Sequence, residues 1–424
     1  GKSTRVGVVD GIVLASTDAA DGTISTLWVD GATLETSSIT RGNKAAPRAL
    51  AKVILSGEAN VMLSRNAQPG ELASYLFRGF DTTQGDQIAL GTDGAILSFS
   101  GNYVQSKTAA ISSIDQAQNT NLVLTGGDGD TFVIRAKNTH SGQLSVNNIT
   151  LMLGYELPTQ SDTAQTVSLG GEGDIVLNGT TSNLAINLKG DYRLGSDNVA
   201  QGQPSRKLTG EGGLYLYSHD GTTIVDRVHD YQGQTQVAAG AKLKLIEGGN
   251  LTQTSAIELL DASSILEVAR QSDYTLDRNI TGLGSLRIDT DGVVALTNTQ
   301  NDFTGEVVVK HGTLRVSDFQ TLGALDKTVH FGDYTLPAFV APTTTTPAAR
   351  VRRVRSLRAM SMDTEPALAS VTEVLPASTS TPAIALHFNE DTVARVGTDG
   401  LGDVVKTGTG VLTLNSVTPE WGHT

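Results

Sequence analysis

The 424-residue chain contains no cysteine. That excludes thiol catalysis, thiolate metal sites and disulfide stapling. It also suits a chain that crosses a membrane unfolded, although many disulfide-free proteins never leave the cell. Aromatic residues make up only 5% of the chain, which is thin for a large compact core, since aromatic rings dominate core burial. No run approaches the roughly 18 apolar residues of a membrane-spanning helix. The first residues, "GKSTRVG", lack both Met and an apolar leader core. The chain therefore reads as a processed or excised segment. Net positive charge is lacking too: the balance is −13 and the sequence pI about 5.0. An acidic chain of this kind is not expected to bind nucleic acid. One local absence stands out. No glycine occurs from Asp333 to Val396, in a chain that has 46 of them.

Glycine elsewhere is abundant and ordered. "DFTGEVVVKHGTLRV" (302–316) sets Gly305 and Gly312 seven apart, each followed by a short alternating run. Upstream by 72 positions, "DYQGQTQVAAGAKLKL" repeats the arrangement with Gly233 and Gly240. There Leu243 and Leu245 fall one place off Leu314 and Val316. "GEGGLYL" (210–216) and "GLGSLRI" (282–288) are separated by the same interval, and "GTGVLTL" (408–414) and "GEGDIVL" (171–177) share their form. The glycines Gly210, Gly212, Gly282, Gly284, Gly408 and Gly410 thus mark fixed corners. Period-2 alternation gives strands with one buried face. It turns Leu286 and Ile288 inward with Ser285 and Arg287 outward, and Leu243 and Leu245 inward with Lys242 and Lys244 outward. Strands this short cannot stand alone and must stack. The repeat interval is too long for one propeller blade. It matches about three solenoid coils of roughly 20–25 residues. The fold class expected is all-β: an elongated right-handed parallel β-helix, with a β-sandwich as the competitor.

These residues resemble the passenger domains of bacterial autotransporters (type V secretion), specifically the autotransporter-associated β-strand repeat. That pattern runs Gly-x-Gly-x-Leu-x-Leu and then Asn-x-Tyr/Phe-Thr-Gly, continuing to Gly-x-Leu-x-Val. Here Gly282 to Ile288, Asn301, Phe303, Thr304, Gly305, Val309, Gly312, Leu314 and Val316 carry it. The upstream copy departs from it at His229 and Gln232. The likeness is good over these copies and extends to the N-terminal part of the chain only in general character. It implies a β-helix exported through an outer-membrane β-barrel translocator, which is not in this chain, and displayed at the cell surface of a Gram-negative bacterium.

Along the chain, residues 1–336 read as β-helix. Within them, 41–86 is an excursion or irregular coil with a short helical stretch around Ala46–Val53. Residues 337–386, rich in Pro, Thr, Ser and Arg, read as a disordered loop or linker, and coils resume over 387–424. The interval from Gly282 to Gly408 exceeds that from Gly210 to Gly282 by about the length of such a loop.

Candidate chemistry is sparse. "RVRRVRSLR" places Arg350, Arg352, Arg353, Arg355 and Arg358 close together. It reads as a solvated loop, a protease-sensitive site or a polyanion-binding patch. "GGDGDTF" (126–132) imitates a calcium nonapeptide but has Thr131 at the ligand position and no tandem copy. His219–Asp220 and His229–Asp230 suggest no third ligand. Tyr215 and Tyr217 read as outward aromatics on a coil. No metal and no cofactor are expected, and enzyme signatures such as Gly-x-Ser-x-Gly and His-Glu-x-x-His are missing. The expectation is a non-enzymatic adhesin that binds host extracellular matrix or glycans, or another copy of itself in cell aggregation and biofilm. A polysaccharide-active β-helix enzyme and a purely structural stalk are the alternatives.

Overall fold

The structure is a computed structural model. It describes residues 5–338 except 9–10, 16–22, 43–48, 65–72, 116, 155, 158–159, 171–172, 196–205, 218–219, 317 and 324–327. Beyond 338 it describes the strands Ala383–His387, Thr392–Ala394, Gly397–Asp399, Asp403–Thr407 and Leu412–Leu414. Two compact units are distinguished, one chiefly Gly1–Leu214, the other chiefly Gly233–Thr346 with Glu365–Thr424.

In the first unit each coil visits three faces in the same order. Leu50–Ser56, Ala59–Ser64 and Ser74–Leu76 form one coil, and Gln87–Leu90, Ala95–Ser100 and Tyr103–Gln105 the next. Each strand pairs in parallel with its counterpart one coil on, as Val53 with Ile88, Val61 with Leu97, and Tyr75 with Val104. A parallel ladder repeated on three faces is a β-helix. A sandwich of antiparallel neighbours would show hairpin pairing. Among the described residues the one antiparallel pair is the short contact of Glu156–Leu157 with Gln160–Ser161. The core is a set of aliphatic columns. Leu34, Val61, Leu97, Leu124, Val146 and Leu177 stack in register, all buried. Steps along this column are uneven: Leu124 to Val146 is the shortest, and Val61 to Leu97 is more than half as long again.

The second unit is more regular. Leu243, Leu266, Leu286, Val307 and Val329 form one column, every member fully buried. Its steps are nearly equal, the longest (Leu243 to Leu266) exceeding the shortest (Leu266 to Leu286) by only a few positions. Pairing continues beyond residue 338, where Ala383–His387 lies parallel to the end of Val307–Val316 and Asp403–Thr407 lies parallel to Ala383–His387.

Three expectations need correction. First, the repeat interval is not three whole coils. Val237 and Val309 occupy equivalent places in the two copies, yet Val309 stacks on Ile288, Val268 and Leu245, while Val237 stacks on Leu259 and Gly282. The repeat therefore spans three coils plus one side, and advances the motif to the next face. Second, Leu50–Val53 is strand rather than helix. Ala51, Val53 and Leu55 are buried while Leu50, Lys52 and Ile54 are only half-buried, a period of two that tertiary burial imposes over helix propensity. Third, Ser285 is buried although its phase is outward, because its hydroxyl accepts from the Glu306 N–H of the next coil (3.0 Å).

The corner glycines have physical causes. Gly282 has φ +99° and Gly210 φ +102°, a region L side chains rarely occupy. A Cβ at either would also meet the carbonyl of the coil beneath, Leu259 or Leu177. Gly240 and Gly312 likewise take positive φ. Gly212, Gly284 and Gly305 face neighbouring carbonyls of Ser182, Ser264 and Gly284. Gly312 bends a continuous strand, Val307–Val316, rather than separating two. Gly408 and Gly410 lie outside the described residues.

Candidate functional site: a charged outer face

Where Leu243, Leu266 and Leu286 point inward, alternation turns their neighbours outward. Lys244, Glu267, Arg287, Val308 and His330 are in register on consecutive strands. Lys242 flanks Lys244 on the same side of its strand. The Glu267 carboxylate lies between both ammonium groups, 3.1 Å from Lys244 Nζ and 3.6 Å from Lys242 Nζ. Glu267 is itself almost covered, with 4% of its side chain exposed.

The next cluster depends on a register shift. Ile288 pairs with Val309, but Asp289 pairs with His311, so Lys310 is the extra residue of a bulge. Two residues then oppose one, and both reach the same carboxylate. His311 Nδ1 is 2.6 Å from Asp289 Oδ1, while Lys310 Nζ is 3.4 Å and Arg287 Nη2 3.9 Å from Oδ2. Burial alone would raise the Asp289 carboxyl. The His311 hydrogen bond, with the charges of Lys310, His311 and Arg287, outweighs it and holds the carboxyl below its ordinary range. Arg287 Nε is buried and has no hydrogen-bond partner among the described residues. At the end of the row His330 Nε2 is 3.0 Å from Glu306 Oε2, and its ring stacks on Tyr334 at 3.6 Å and 15°. Tyr334 is one of the exposed aromatics.

The first unit uses charge differently. Arg41 and Asp86 pair at 3.1 Å with 4% and 0% side-chain exposure. Arg41 also donates to the carbonyls of Gly42 and Ala49 (2.9 and 2.8 Å), while Asp86 accepts from the N–H groups of Ala51 and Asp81. Arg135 and Asp162 form a second covered pair at 2.8 Å, joined by Lys107 at 2.7 Å. These join coils, and of the charged groups in them only Lys107 is well exposed.

The arginine run 350–358 lies outside the described residues. Asp130 of "GGDGDTF" caps its own turn by accepting from Gly127 N–H (3.0 Å), and no group of three or more His, Asp or Glu among the described residues could hold a metal. His229 is fully buried on the short strand Val228–His229, and His219 lies outside the described residues. Tyr215 and Tyr217 are half-buried rather than displayed, and meet edge to face with centroids 6.2 Å apart. Burial, and then Tyr215, push the Tyr217 phenol well above its usual range. Among the described residues the exposed aromatics are instead Trp28, Tyr75 and Tyr334.

The charged face was only half legible. "KLKL" announces its lysines, and charges recur at outward positions of "ILEV" and "SLRID". The bulge that brings Lys310 and His311 onto Asp289 leaves no local signal. No protein-family model matches the chain, and neither the curated proteins nor the solved structures contain a significant match. The arrangement sets Lys242, Lys244, Arg287 and Lys310 beside Glu267, Asp289 and Glu306 on one ladder.

Proposed function

We propose that the chain is a stretch of the surface-displayed passenger of an autotransporter, acting as a non-enzymatic adhesin on a Gram-negative cell. It would engage host matrix or glycans, or a second copy, through rows of outward side chains. The observation that carries this reading is the in-register column Leu243–Leu266–Leu286–Val307, whose alternate residues form a matching row on the other side of the ladder, with Lys244 and Arg287 partly exposed in it. Stacked coils fix such rows at the spacing of the rungs, about 4.8 Å, so many weak contacts act together. Export through an outer-membrane barrel is supported by the glycine-centred repeat and its resemblance, and an absence of cysteine accords with it. The test is display of this chain behind an outer-membrane barrel. Cells carrying the chain should aggregate or adhere to matrix- or glycan-coated wells more than cells carrying the barrel alone. Equal behaviour of the two, or depolymerisation of an offered polysaccharide, would overturn the reading.

A further inference from the structure

We propose that the outer face built by Lys242, Lys244, Arg287, Lys310 and His311 binds a linear anionic polysaccharide, one bearing sulfate or uronate groups, laid across the rungs with Arg287 at its centre. The inference rests on the adhesive reading above and specifies its ligand and its site.

Local charge is the first argument. Glu267 is shared by two lysines, and Asp289 by Arg287, Lys310 and His311. Each carboxylate neutralises one cation, so each cluster keeps a surplus positive charge. The Glu306 carboxylate at the end of the row offsets one of these charges, which leaves the face with a small positive excess in a chain whose net charge is −13. A polyanion is attracted to such a local excess.

Unused donor capacity is the second. Arg287 has a planar fork of five N–H donors. Its only ion-pair contact among the described residues is the long one to Asp289, and its side chain is 27% exposed; Nε is covered, so the terminal nitrogens are the donors open to a ligand. Glu267 sits directly opposite Arg287 in register, yet its oxygens are held by the lysines. Sulfate and carboxylate are oxyanions that a guanidinium fork matches.

Spacing is the third. Lys244 and Arg287 lie two rungs apart, with Lys310 on the following rung. Rungs repeat at about 4.8 Å, close to the advance of one pyranose unit in an extended glycan. Tyr334, exposed and stacked on His330 at the end of the row, offers a ring against which a sugar face packs. A nucleic-acid strand would need a series of such rings for its bases, and the row has one. A lipid surface would need exposed aliphatic side chains between the cations, and the row's one aliphatic, Val308, is buried.

The experiment titrates the full chain with a heparin-type oligosaccharide, a polyuronate oligomer, neutral dextran and a single-stranded oligonucleotide, at several salt concentrations. Binding to the two anionic glycans, weakening with salt, is expected, with the two arms showing whether sulfate or carboxylate is preferred. Arg287→Ala and Lys310→Ala should each weaken it about tenfold, and Arg287→Lys less, because charge is kept but the fork is lost. Lys242→Ala serves as a variant at the more solvated edge of the face, should Arg287→Ala melt early by circular dichroism. Replacing Arg350, Arg352 and Arg353 by Ala should leave binding unchanged; a loss as large as that of the face variants would move the site to that run and overturn the proposal. Failure to bind either anionic glycan, equal binding of dextran, equal or tighter binding of the oligonucleotide, or wild-type affinity in all of the face variants would each overturn it as well. Displayed on cells, an Arg287→Ala/Lys310→Ala chain that adheres as well as the wild type refutes this site and leaves the adhesive reading standing. A wild-type chain that binds the glycans in solution but confers no adhesion refutes the adhesive reading alone.

Discussion

Leu266→Ala tests the column on which the second unit rests. Leu266 is fully buried, with Leu243 beneath it and Leu286 above it in the ladder. Alanine removes three carbons. At about 0.8 kcal/mol per buried methylene the transfer part is roughly 2.4 kcal/mol. A cavity term is added because neighbouring strands are tied by their own hydrogen bonds and relax little, which brings the loss to about 3–4 kcal/mol. A solenoid transmits such a loss mainly to adjacent coils. Native-state hydrogen exchange should therefore show the largest fall in protection at 242–245, 265–268 and 285–288, and a smaller one at 328–331. Leu243→Ala combined with Leu266→Ala should be non-additive, since the two voids merge, by about 0.5–3 kcal/mol. A loss under about 1 kcal/mol for a residue this buried, or a fall in protection no greater in the flanking coils than at 328–331, would refute the shared column.

Asp86→Ala should cost about 3–5 kcal/mol, because it strands the covered Arg41 guanidinium and two backbone donors. Asp277→Ala, which breaks the more exposed Arg278 pair, should cost at most about 1 kcal/mol; equal melting losses would contradict the difference in burial. For Asp289 the folded carboxyl is held below its ordinary value of 3.8. Its stabilisation is therefore complete above that value and lost as pH falls through the lower folded one. The melting-temperature gap between wild type and Asp289→Asn should narrow as pH falls from about 5 to below about 4, and a gap as wide at pH 3 as at pH 5 would exclude the ion pairing.

The parts of the fold legible in the sequence are those that depend on near neighbours. Alternation at Leu286 and Ile288 and at Leu243 and Leu245 named the inward residues, and all four are fully buried. Gly282 and Gly210 were legible as corners because each takes a positive φ, a local demand for glycine; the carbonyl of the coil beneath adds a second bar to a side chain that only stacking reveals. Features set by stacking were less accessible. Coil length could not be read from the repeat interval, since a repeat that advances one face looks the same in sequence as one that closes. Ser285 and the Lys310 bulge depend on which residue of the next coil lies overhead. The Arg41–Asp86 pair joins distant parts of the chain, without a motif to link them.

The contrast between the units also explains where a charged face can arise. A column keeps one chemical character only if successive coils have nearly equal length. The even steps of the second unit keep Lys244, Glu267 and Arg287 in one row, outside the core. In the first unit, uneven steps leave extra chain between rungs. Backbone carbonyls away from a ladder need partners, and Arg41 supplies them to Gly42 and Ala49. A guanidinium drawn in for that purpose requires a buried carboxylate, which Asp86 provides. Irregular coils therefore spend their charges on internal ties, while regular coils leave theirs in rows along the surface. On this argument the face depends on local register more than on the core beneath it. Deleting Lys310 alone removes the bulge and takes one cation from Asp289, while Leu286 on Val307 keeps its register. The Asp289 carboxyl, followed by NMR titration, should then rise toward its ordinary value while protection at 285–288 and 307–309 stays near that of the wild type. Loss of protection there, with the carboxyl unmoved, would show that the bulge serves the column and not the charges above it.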